Sequence, residues 1–287
     1  MTIAFLGTGL LGYPMAERLV LQGHSVVVFN RTREKALPLA QKGAKVADHV
    51  SEAVAEAQVV ILVLTDYPAI QQVLDIKGKG IPLKDKTVIQ MSTILPRESQ
   101  ELERWVKQQG GQYLEAPVLG SRPEATEGRL QILVGGDPQV LEAVRPILEV
   151  WGPIYYLGTV GQAAAVKLAL NQLIASLLSA FSTSLAMVRR AGADVDVFMD
   201  ILRHSKLYAP TFDKKLPRLR ERHFDNPNFP TRHLLKDVRL IEEQARSLGV
   251  NTRLIEAVRL IIEEALQKGW VDTDYSSIYN AIDPPEN

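Results

Sequence analysis

The stretch Thr2-Ile3-Ala4-Phe5-Leu6-Gly7-Thr8-Gly9-Leu10-Leu11-Gly12 decides the fold of this 287-residue chain. An apolar run of strand length leads into a Gly-x-Gly-x-x-Gly pattern, and a helical pattern follows directly. Glycines there let the backbone approach a pyrophosphate, and the helix N-terminus offers N–H donors to it. A strand, turn and helix without a ligand is the structural alternative. Because a second strand pattern ends 18 positions after Gly12, a dinucleotide-binding turn is favoured.

The rest of the first half alternates β-branched strand patterns with helical ones, which is typical of βαβ units and a parallel sheet. The predicted strands are 3–6, 26–30, 59–64, 87–90, 112–115 and 131–134. After residue 158 the pattern is helical throughout, beginning with one helix of nearly thirty residues from 162 to about 190. Shorter helices are predicted at 196–204, 233–248, 253–268 and 276–281.

We therefore expect an α/β fold with an N-terminal Rossmann-type doubly wound parallel sheet and an all-α C-terminal domain. Residues 1–160 form the NADP-binding domain and 161–287 the helical substrate and oligomerisation domain, with 161–190 as a long interdomain helix. The charged, proline-containing segment 204–230 is either a loop with a helix over the domain junction or a plain solvated connection.

The end of the second predicted strand indicates which nicotinamide cofactor is used. An NAD site needs an acidic residue there for the ribose 2′-hydroxyl, whereas this chain has Asn30-Arg31-Thr32. Arg31 can pair with a 2′-phosphate, and Asn30 and Thr32 can donate hydrogen bonds to it. In the structural alternative, Thr32 is only a helix N-cap and Arg31 lies in solvent. The structural role and phosphate binding are compatible with each other. The predicted cofactor is NADP(H).

Composition excludes several function classes. The 33 Lys+Arg balance 33 Asp+Glu, which gives no reason to expect nucleic acid or an anionic membrane surface as a partner. There is no Cys, and the five His show no ligand spacing, so no metal site is expected. Without a leader pattern, the expected location is the cytoplasm. The uncharged stretch 168–188 has membrane-spanning length, but its Asn, Gln, Ser and Thr favour a helix packed inside protein.

Lys167 and Asn171 are the candidate catalytic residues. They are four residues apart, so they share one face near the start of the long predicted helix. An ammonium close to an aldehyde oxygen stabilises the negative charge that hydride transfer creates there and delivers the proton. A lysine that reaches solvent from the helix start is the structural alternative. These residues by themselves leave the two interpretations about equal.

Four ordered motifs resemble the β-hydroxyacid dehydrogenase family over nearly the whole chain. They are Gly7-x-Gly9-x-x-Gly12-x-x-Met15, Glu115-Ala116-Pro117-Val118-x-Gly120-Ser121, Gly158-x-x-Gly161 before Lys167-x-x-x-Asn171, and Phe229-Pro230 before Lys236-Asp237. The Asn-Arg-Thr of the second strand is similar to the NADPH-dependent glyoxylate/succinic semialdehyde reductase branch. This resemblance implies that Lys167 is the general acid and that Asn171 orients the substrate or Lys167.

The resemblance also implies roles for residues outside the long helix. Thr93 contacts nicotinamide or substrate, Gly120 and its neighbours hold the substrate carboxylate through backbone N–H groups, and Phe229 closes the site. Residues assigned to the cofactor are Gly7, Thr8, Gly9, Leu10, Leu11, Gly12, Asn30, Arg31, Thr32, Leu64, Thr65, Thr93 and Lys236. Residues assigned to the substrate are Thr93, Leu119, Gly120, Ser121, Lys167, Asn171, Phe229 and Asp237.

Two positions depart from the family pattern. Leu119 stands where the family usually has a Ser whose hydroxyl contacts the substrate carboxylate, and either Ser121 or backbone donors must replace it. Ala163 stands where a third glycine usually precedes the catalytic Lys, which leaves less room for the backbone.

The predicted function is NADPH-dependent reduction of the aldehyde of a small carboxylate, glyoxylate or succinic semialdehyde, to the hydroxy acid. A 3-hydroxyisobutyrate or tartronate-semialdehyde dehydrogenase is the alternative within the same class. An imine reductase would share the architecture, but Lys167 argues against it. A non-catalytic NADP-binding scaffold or regulator is the alternative from another class. Because the long helix has so little charge, a homodimer or homotetramer is expected.

Overall fold

The computed structural model describes residues 1–285. They divide into two compact units, Met1–Leu168 and a second unit that begins at Ala169. The first unit is built on one nine-stranded sheet. Its strands are β1 Thr2–Leu6, β2 Ser25–Phe29, β3 Lys45–Val46, β4 Val59–Leu62, β5 Thr87–Gln90, β6 Gln112–Glu115, β7 Val118–Leu119, β8 Gln131–Gly136 and β9 Ile154–Tyr156. The order across the sheet is β3-β2-β1-β4-β5-β6-β8-β7, and β9 pairs with β8.

The central strands β1 and β4 are almost entirely apolar because both faces of the sheet are covered. Ile3 and Phe5 of β1 belong to the core on one face, whereas Ala4 and Leu6 belong to the core on the other face. β1 lies between β2 and β4, in parallel register with both. The chain order reverses at this point, so the carboxyl ends of these three strands border the crevice where doubly wound sheets bind ligands.

Seven helices and one 3-10 helix accompany the sheet in the first unit. They are α1 Gly12–Leu21, the 3-10 helix Arg33–Lys35, α2 Leu37–Ala40, α3 Val50–Ala55, α4 Tyr67–Val73, α5 Pro96–Gln108, α6 Arg122–Glu127 and α7 Pro138–Leu148. The helical stretch between β2 and β3 is split, with Ala36 between its two parts and Pro38 in the first turn of α2. Proline has no backbone N–H to donate, which is harmless only at a helix start.

The far edge of the sheet is more complex than its sequence suggested. β8 runs antiparallel to both β6 and β7, and it pairs in parallel with β9. Sequence reasoning missed β3, β7 and β9, which have two, two and three residues. Such segments are too short for an alternating pattern, and the neighbouring strand alone holds them extended. The predicted fold class is nevertheless confirmed: a mainly parallel Rossmann sheet precedes a helical C-terminal region.

The long helix α8 runs from Gln162 to Arg190, as predicted. It is followed by α9 Val195–Arg203, α10 Pro210–Glu221, α11 Thr231–Ser247, α12 Arg253–Gln267, the 3-10 helix Tyr275–Ile278 and α13 Tyr279–Ile282. Within residues 162–285 no strand is formed, and an isolated bridge joins Pro230 to Asp274. By length and composition α8 could cross a membrane, and 44% of its most apolar window is buried inside the protein.

The segment 204–230 contains a helix rather than a plain connection. In α10 the buried side chains are Phe212, Lys215, Leu216 and Leu219. They recur at three- and four-residue intervals, so they share one face of the helix. The Phe212 ring stacks on Phe181 of α8 at a centroid distance of 4.6 Å. Apolar burial on one face explains why this charged stretch is helical.

Candidate active site

The glycine turn between β1 and α1 uses its three glycines for two different purposes. A Cβ on Gly7 would collide with the Val63 carbonyl oxygen, and one on Gly12 would collide with the Gly7 carbonyl oxygen. Gly7 also has a φ of +106°, which L side chains rarely adopt. A Cβ on Gly9, by contrast, would meet no atom within 4 Å. Gly7 and Gly12 therefore close the turn, and Gly9 leaves open space in front of it.

The turn fits the pyrophosphate end of a dinucleotide. Thr8 is 2% exposed, and its Oγ1 is buried without a hydrogen-bond partner in the described part of the chain. The N-cap of α1 is Leu11, whose side chain accepts no hydrogen bond from the first helical turn, and that turn contains no acidic residue. Open space at Gly9, an unused hydroxyl and a helix N-terminus without a competing anion suit a bound phosphate.

The end of β2 is hydrogen-bonded to this turn. Asn30 Oδ1 accepts from the Thr8 backbone N–H at 3.0 Å, and Asn30 Nδ2 donates to the Thr32 carbonyl at 2.7 Å. Asn30 therefore fixes the turn, a role that sequence reasoning missed. Thr32 precedes a 3-10 helix but makes no side-chain cap hydrogen bond.

The two neighbouring arginines differ in their partners. Arg33 Nε donates to Asp48 Oδ1 at 2.5 Å. Arg31 is exposed, and within residues 1–285 no hydrogen bond or ion pair engages its guanidinium. Since an arginine fork matches a phosphate in geometry and charge, Arg31 is the residue available to a 2′-phosphate.

The ends of β4 and β5 are joined by a serine that sequence reasoning did not single out. Ser92 Oγ accepts from the Leu64 backbone N–H at 2.8 Å, and the Ser92 backbone N–H donates to Gln90 Oε1. Thr65 lies exposed after β4, and Thr93 lies half-buried after β5. Because β4 pairs with β1, these residues lie at the carboxyl edge of the same sheet as the glycine turn.

The Gly120 turn has the backbone geometry of an anion-binding turn but contains a carboxylate of its own. Gly120 has a φ of +130° and follows Leu119, the last residue of β7. Ser121 donates both its backbone N–H and its Oγ–H to Glu124 Oε2, at 2.8 and 2.7 Å. These two donors were predicted from the sequence to contact the substrate carboxylate. The signal for Glu124 was the Ser-x-x-Glu pattern of a capping box at the start of α6.

Lys167 lies in the second turn of α8 and is 8% exposed. Asn171, four residues later in the same helix, is 5% exposed. In the second unit, the Asn171 Nδ2–H donates to Asp237 Oδ2 at 2.7 Å. Asp237 Oδ1 in turn lies 2.8 Å from Lys236 Nζ. The predicted residues Asn171, Lys236 and Asp237 are therefore linked by one hydrogen bond and one ion pair.

Phe229 is held by an aromatic cluster of the second unit. Its carbonyl oxygen accepts from the Tyr275 backbone N–H at 3.0 Å, and its ring meets Tyr275 edge to face at 5.6 Å. The His233 ring stacks on the other side at 6.3 Å. Burial, followed by the positive charges of Arg232 and Lys236, lowers the pKa of His233, so a neutral ring is favoured beside Phe229. Within residues 1–285 no group of His, Asp or Glu could hold a metal ion.

Comparison with known proteins matches both halves of the chain. The family model described as the NAD binding domain of 6-phosphogluconate dehydrogenase matches residues 2–161. The model described as NAD-binding of NADP-dependent 3-hydroxyisobutyrate dehydrogenase matches residues 161–282.

Three relatives are similar over almost their whole length. Glyoxylate/succinic semialdehyde reductase 1 of Arabidopsis thaliana is 32% identical, covering 98% of both chains. The 2-hydroxy-3-oxopropionate reductase of Escherichia coli (strain K12) is 31% identical, covering 99% of this chain and 97% of that protein. A solved structure of Mycobacterium tuberculosis 3-hydroxyisobutyrate dehydrogenase with L-serine has a TM-score of 0.87 at 26% identity, covering 98% of both chains. The chain therefore belongs to the β-hydroxyacid dehydrogenase family and is an NAD(P)-dependent enzyme that acts on CH–OH donors.

Proposed function

We propose that this enzyme reduces the aldehyde of a small carboxylate, glyoxylate or succinic semialdehyde, to the hydroxy acid with NADPH. The observation that carries the proposal is Lys167, a lysine only 8% exposed on a helix that presents Asn171 one turn later. Removing an ammonium from water is costly, and such a group at a candidate site is better explained by chemistry than by packing.

In this proposal each residue has one task. NADPH, when bound, supplies the hydride. Lys167 holds a proton at Nζ for the carbonyl oxygen and stabilises the negative charge that develops there. Asn171, whose amide nitrogen donates to Asp237, orients the substrate or Lys167, as the family resemblance implies. Lys236, Asp237, Phe229, Thr65 and Thr93 enter as cofactor and substrate contacts through the family resemblance.

The preference for NADPH over NADH rests on Arg31. No acidic residue stands at the end of β2, so a 2′-phosphate meets no like charge from that position. The neighbouring Arg33 is paired with Asp48, which leaves Arg31 as the cation for the phosphate. The relative from Arabidopsis thaliana is named for both proposed aldehydes, and this supports the substrate class.

The test is steady-state oxidation of NADPH and NADH with four aldehydes in parallel. Besides glyoxylate and succinic semialdehyde, the panel contains tartronate semialdehyde and the aldehyde of 3-hydroxyisobutyrate. We expect the highest kcat/KM with NADPH and one of the first two. A preference for tartronate semialdehyde would favour the alternative that the Escherichia coli relative suggests. Micromolar NADPH binding without turnover on any of the four would support a non-catalytic scaffold instead.

We also propose that the enzyme is a homodimer or homotetramer. The α9 side chains Val197 and Ile201 are 57% and 65% exposed and lie four residues apart, on one face of the helix. Exposed apolar groups on one face favour a second copy of the chain as their cover. Light scattering after size exclusion, with Ile201→Glu beside the unmodified enzyme, tests this: the variant is expected to give a smaller species.

A further inference from the structure

A buried carboxylate joins the sheet to the first turn of α8. Glu115, the last residue of β6, has no exposed surface. Its Oε1 accepts from the backbone N–H groups of Gly161 and Ala163, both at 2.8 Å, and from that of Ala164 at 3.3 Å. Its Oε2 accepts from Ser99 Oγ at 2.6 Å. Four donors thus converge on one side chain.

The surroundings of Glu115 leave room for this side chain and no more. A Cβ on Gly135 would lie 2.6 Å from Glu115 Oε1 and 2.9 Å from the Thr159 carbonyl oxygen. Gly161 donates its N–H from a φ of +102°, a conformation that favours glycine. Ser99, which holds the other carboxylate oxygen, is itself 2.8 Å from the Tyr113 hydroxyl. Ser99 of α5 therefore holds one oxygen of the Glu115 carboxylate, while the other oxygen binds the first turn of α8.

Burial raises the pKa of the Glu115 carboxyl, and the hydrogen bonds from Ser99 and the three backbone groups offset part of that rise. Holding a carboxyl group in such a place costs stability when it ionises. A neutral acceptor of the same shape would hold the helix as well, so the hydrogen-bonding reach of this side chain matters more than its charge.

The hydrogen bonds from the first turn of α8 to Glu115 influence the position of Lys167 because this turn and Lys167 lie in the same helix. Ala163 and Lys167 are four residues apart in α8, so they lie on the same face, one turn above the other. Fixing the first-turn N–H groups fixes both the rotation and the axial position of the helix at Lys167. A proton donor must meet its acceptor oxygen within hydrogen-bond distance, so a shift of about 1 Å at this turn matters for the rate.

We propose that Glu115 is a positioning residue: it holds the first turn of α8 against the sheet and thereby sets the place of the Lys167 ammonium in the reaction. This inference rests on the proposed role of Lys167 as proton donor. A plain structural anchor, by contrast, would change the stability of the enzyme and leave the turnover of folded molecules unchanged.

Two substitutions separate the effect of the Glu115 side-chain length from the effect of its charge. Glu115→Gln loses the charge but keeps Oε1 for the three helix N–H groups, and its amide can donate to Ser99. Glu115→Asp keeps the charge but is one methylene too short to reach α8. Asp194→Ala is the matched control, because Asp194 accepts from two backbone N–H groups at the start of α9, a helix without a proposed catalytic residue.

The measurements are kcat and KM for the preferred aldehyde, the dissociation constant for NADPH, and the kinetic isotope effect with NADPH deuterated at the transferred position. We expect Glu115→Asp to lose about 10- to 100-fold in kcat with NADPH affinity unchanged within about twofold. Its isotope effect should change as the proton donor moves. Glu115→Gln should stay within about threefold of the unmodified enzyme, and Asp194→Ala should lose stability without loss of kcat.

Hydrogen exchange of the amides at 161, 163 and 164 gives a readout independent of turnover, and it should accelerate in Glu115→Asp alone. A tenfold loss in Glu115→Gln, or full kcat in Glu115→Asp despite accelerated exchange, would overturn the inference. If Glu115→Asp does not fold, Ser99→Ala takes its place, because it removes the donor to Glu115 Oε2. A loss of kcat that accompanies accelerated exchange supports the inference, and full kcat despite accelerated exchange overturns it. Absence of turnover in the unmodified enzyme would instead defeat the proposed function, which separates the two failures.

Discussion

Lys167 is the proposed proton donor of this enzyme. The residue is only 8% exposed and lies in a largely apolar helix. We expect Lys167→Ala to retain NADPH affinity and to lose roughly two to four orders of magnitude in kcat, the usual contribution of a positioned acid. Single-turnover kinetics with a parallel fluorescence titration of NADPH measures both quantities. Turnover within tenfold of the unmodified enzyme would remove Lys167 from the mechanism.

Glu124 is a second residue with a specific consequence. Its carboxylate takes both donors of Ser121 at the turn where the substrate carboxylate is proposed to bind. Two like charges about 4 Å apart in water repel by about 1 kcal/mol, which is roughly a fivefold factor in binding. Glu124→Gln keeps the capping hydrogen bonds and removes the charge, so KM for glyoxylate should fall about two- to fivefold at constant kcat.

The matched control for that substitution is Glu127→Gln. Glu127 belongs to the same helix, α6, but is paired with Arg129 on the surface. Glu127→Gln changes the net charge by the same amount and leaves the hydrogen bonds of Ser121 intact. An equal fall in KM in both variants would show that the effect comes from net charge rather than from the Ser121 donors.

At the scale of elements, the end of β2 and the glycine turn act together. Asn30 bridges them, and Arg31 projects from the same strand end. A hydrogen bond to a charged group contributes about 1.5–3 kcal/mol, so Arg31→Ala should raise KM for NADPH roughly 10- to 100-fold. KM for NADH should stay within twofold, because that cofactor has no 2′-phosphate.

Arg33→Ala provides the comparison for Arg31→Ala. It removes the same charge two residues away but breaks the surface pair with Asp48 instead. Kinetics with both cofactors should show little change, because exposed ion pairs contribute little to stability. Equal losses in the two variants would mean that general positive charge, rather than the Arg31 side chain, attracts the phosphate.

At the scale of the whole molecule, the second unit depends on a buried ion pair that the proposed chemistry does not use. Lys215 Nζ lies 2.6 Å from Asp274 Oδ1, and the two side chains are 7% and 1% exposed. Burial alone would raise the pKa of Asp274, but the Lys215 charge and the Ser276 hydrogen bonds outweigh it, so the pKa lies below the ordinary 3.8. The ionised Asp274 therefore contributes stability above about pH 4, and this contribution is lost as the pH falls through its lowered pKa. Burial lowers the pKa of Lys215 in spite of Asp274, so the gain belongs to the carboxylate.

Lys215→Met should reverse that dependence. Above pH 4 it leaves a buried carboxylate without its counter-charge, which costs about 3–5 kcal/mol in the free energy of unfolding. Burial then dominates and raises the Asp274 pKa, so the penalty shrinks as the pH falls towards 4. The free energy of unfolding is measured by denaturant titration at pH 7 and pH 4, with hydrogen exchange in α10 and α11 as the local readout. Lys214→Met, on the exposed side of α10, should show no such penalty.

The sequence by itself determined the features that local pattern encodes. The strand and glycine turn at 2–12 and the helix Gln162–Arg190 follow from residue spacing, because each element has its own periodicity along the sequence. The absence of an acid after β2 and the position of Lys167 in its helix are equally local. Those features predicted the fold class, the four ordered motifs predicted the family, and both predictions are confirmed.

Only the tertiary structure decided which partners these residues have. Asn30 meets Thr8 across 22 residues, Glu115 meets the start of α8 across 46 to 49, and Lys215 meets Asp274 across 59. Such contacts arise from the order of strands and the packing of helices, which no periodicity of a single segment reports. Glu124 shows the same limit at short range. Its capping-box pattern is visible in the sequence, but only the side-chain geometry shows that it accepts both Ser121 donors.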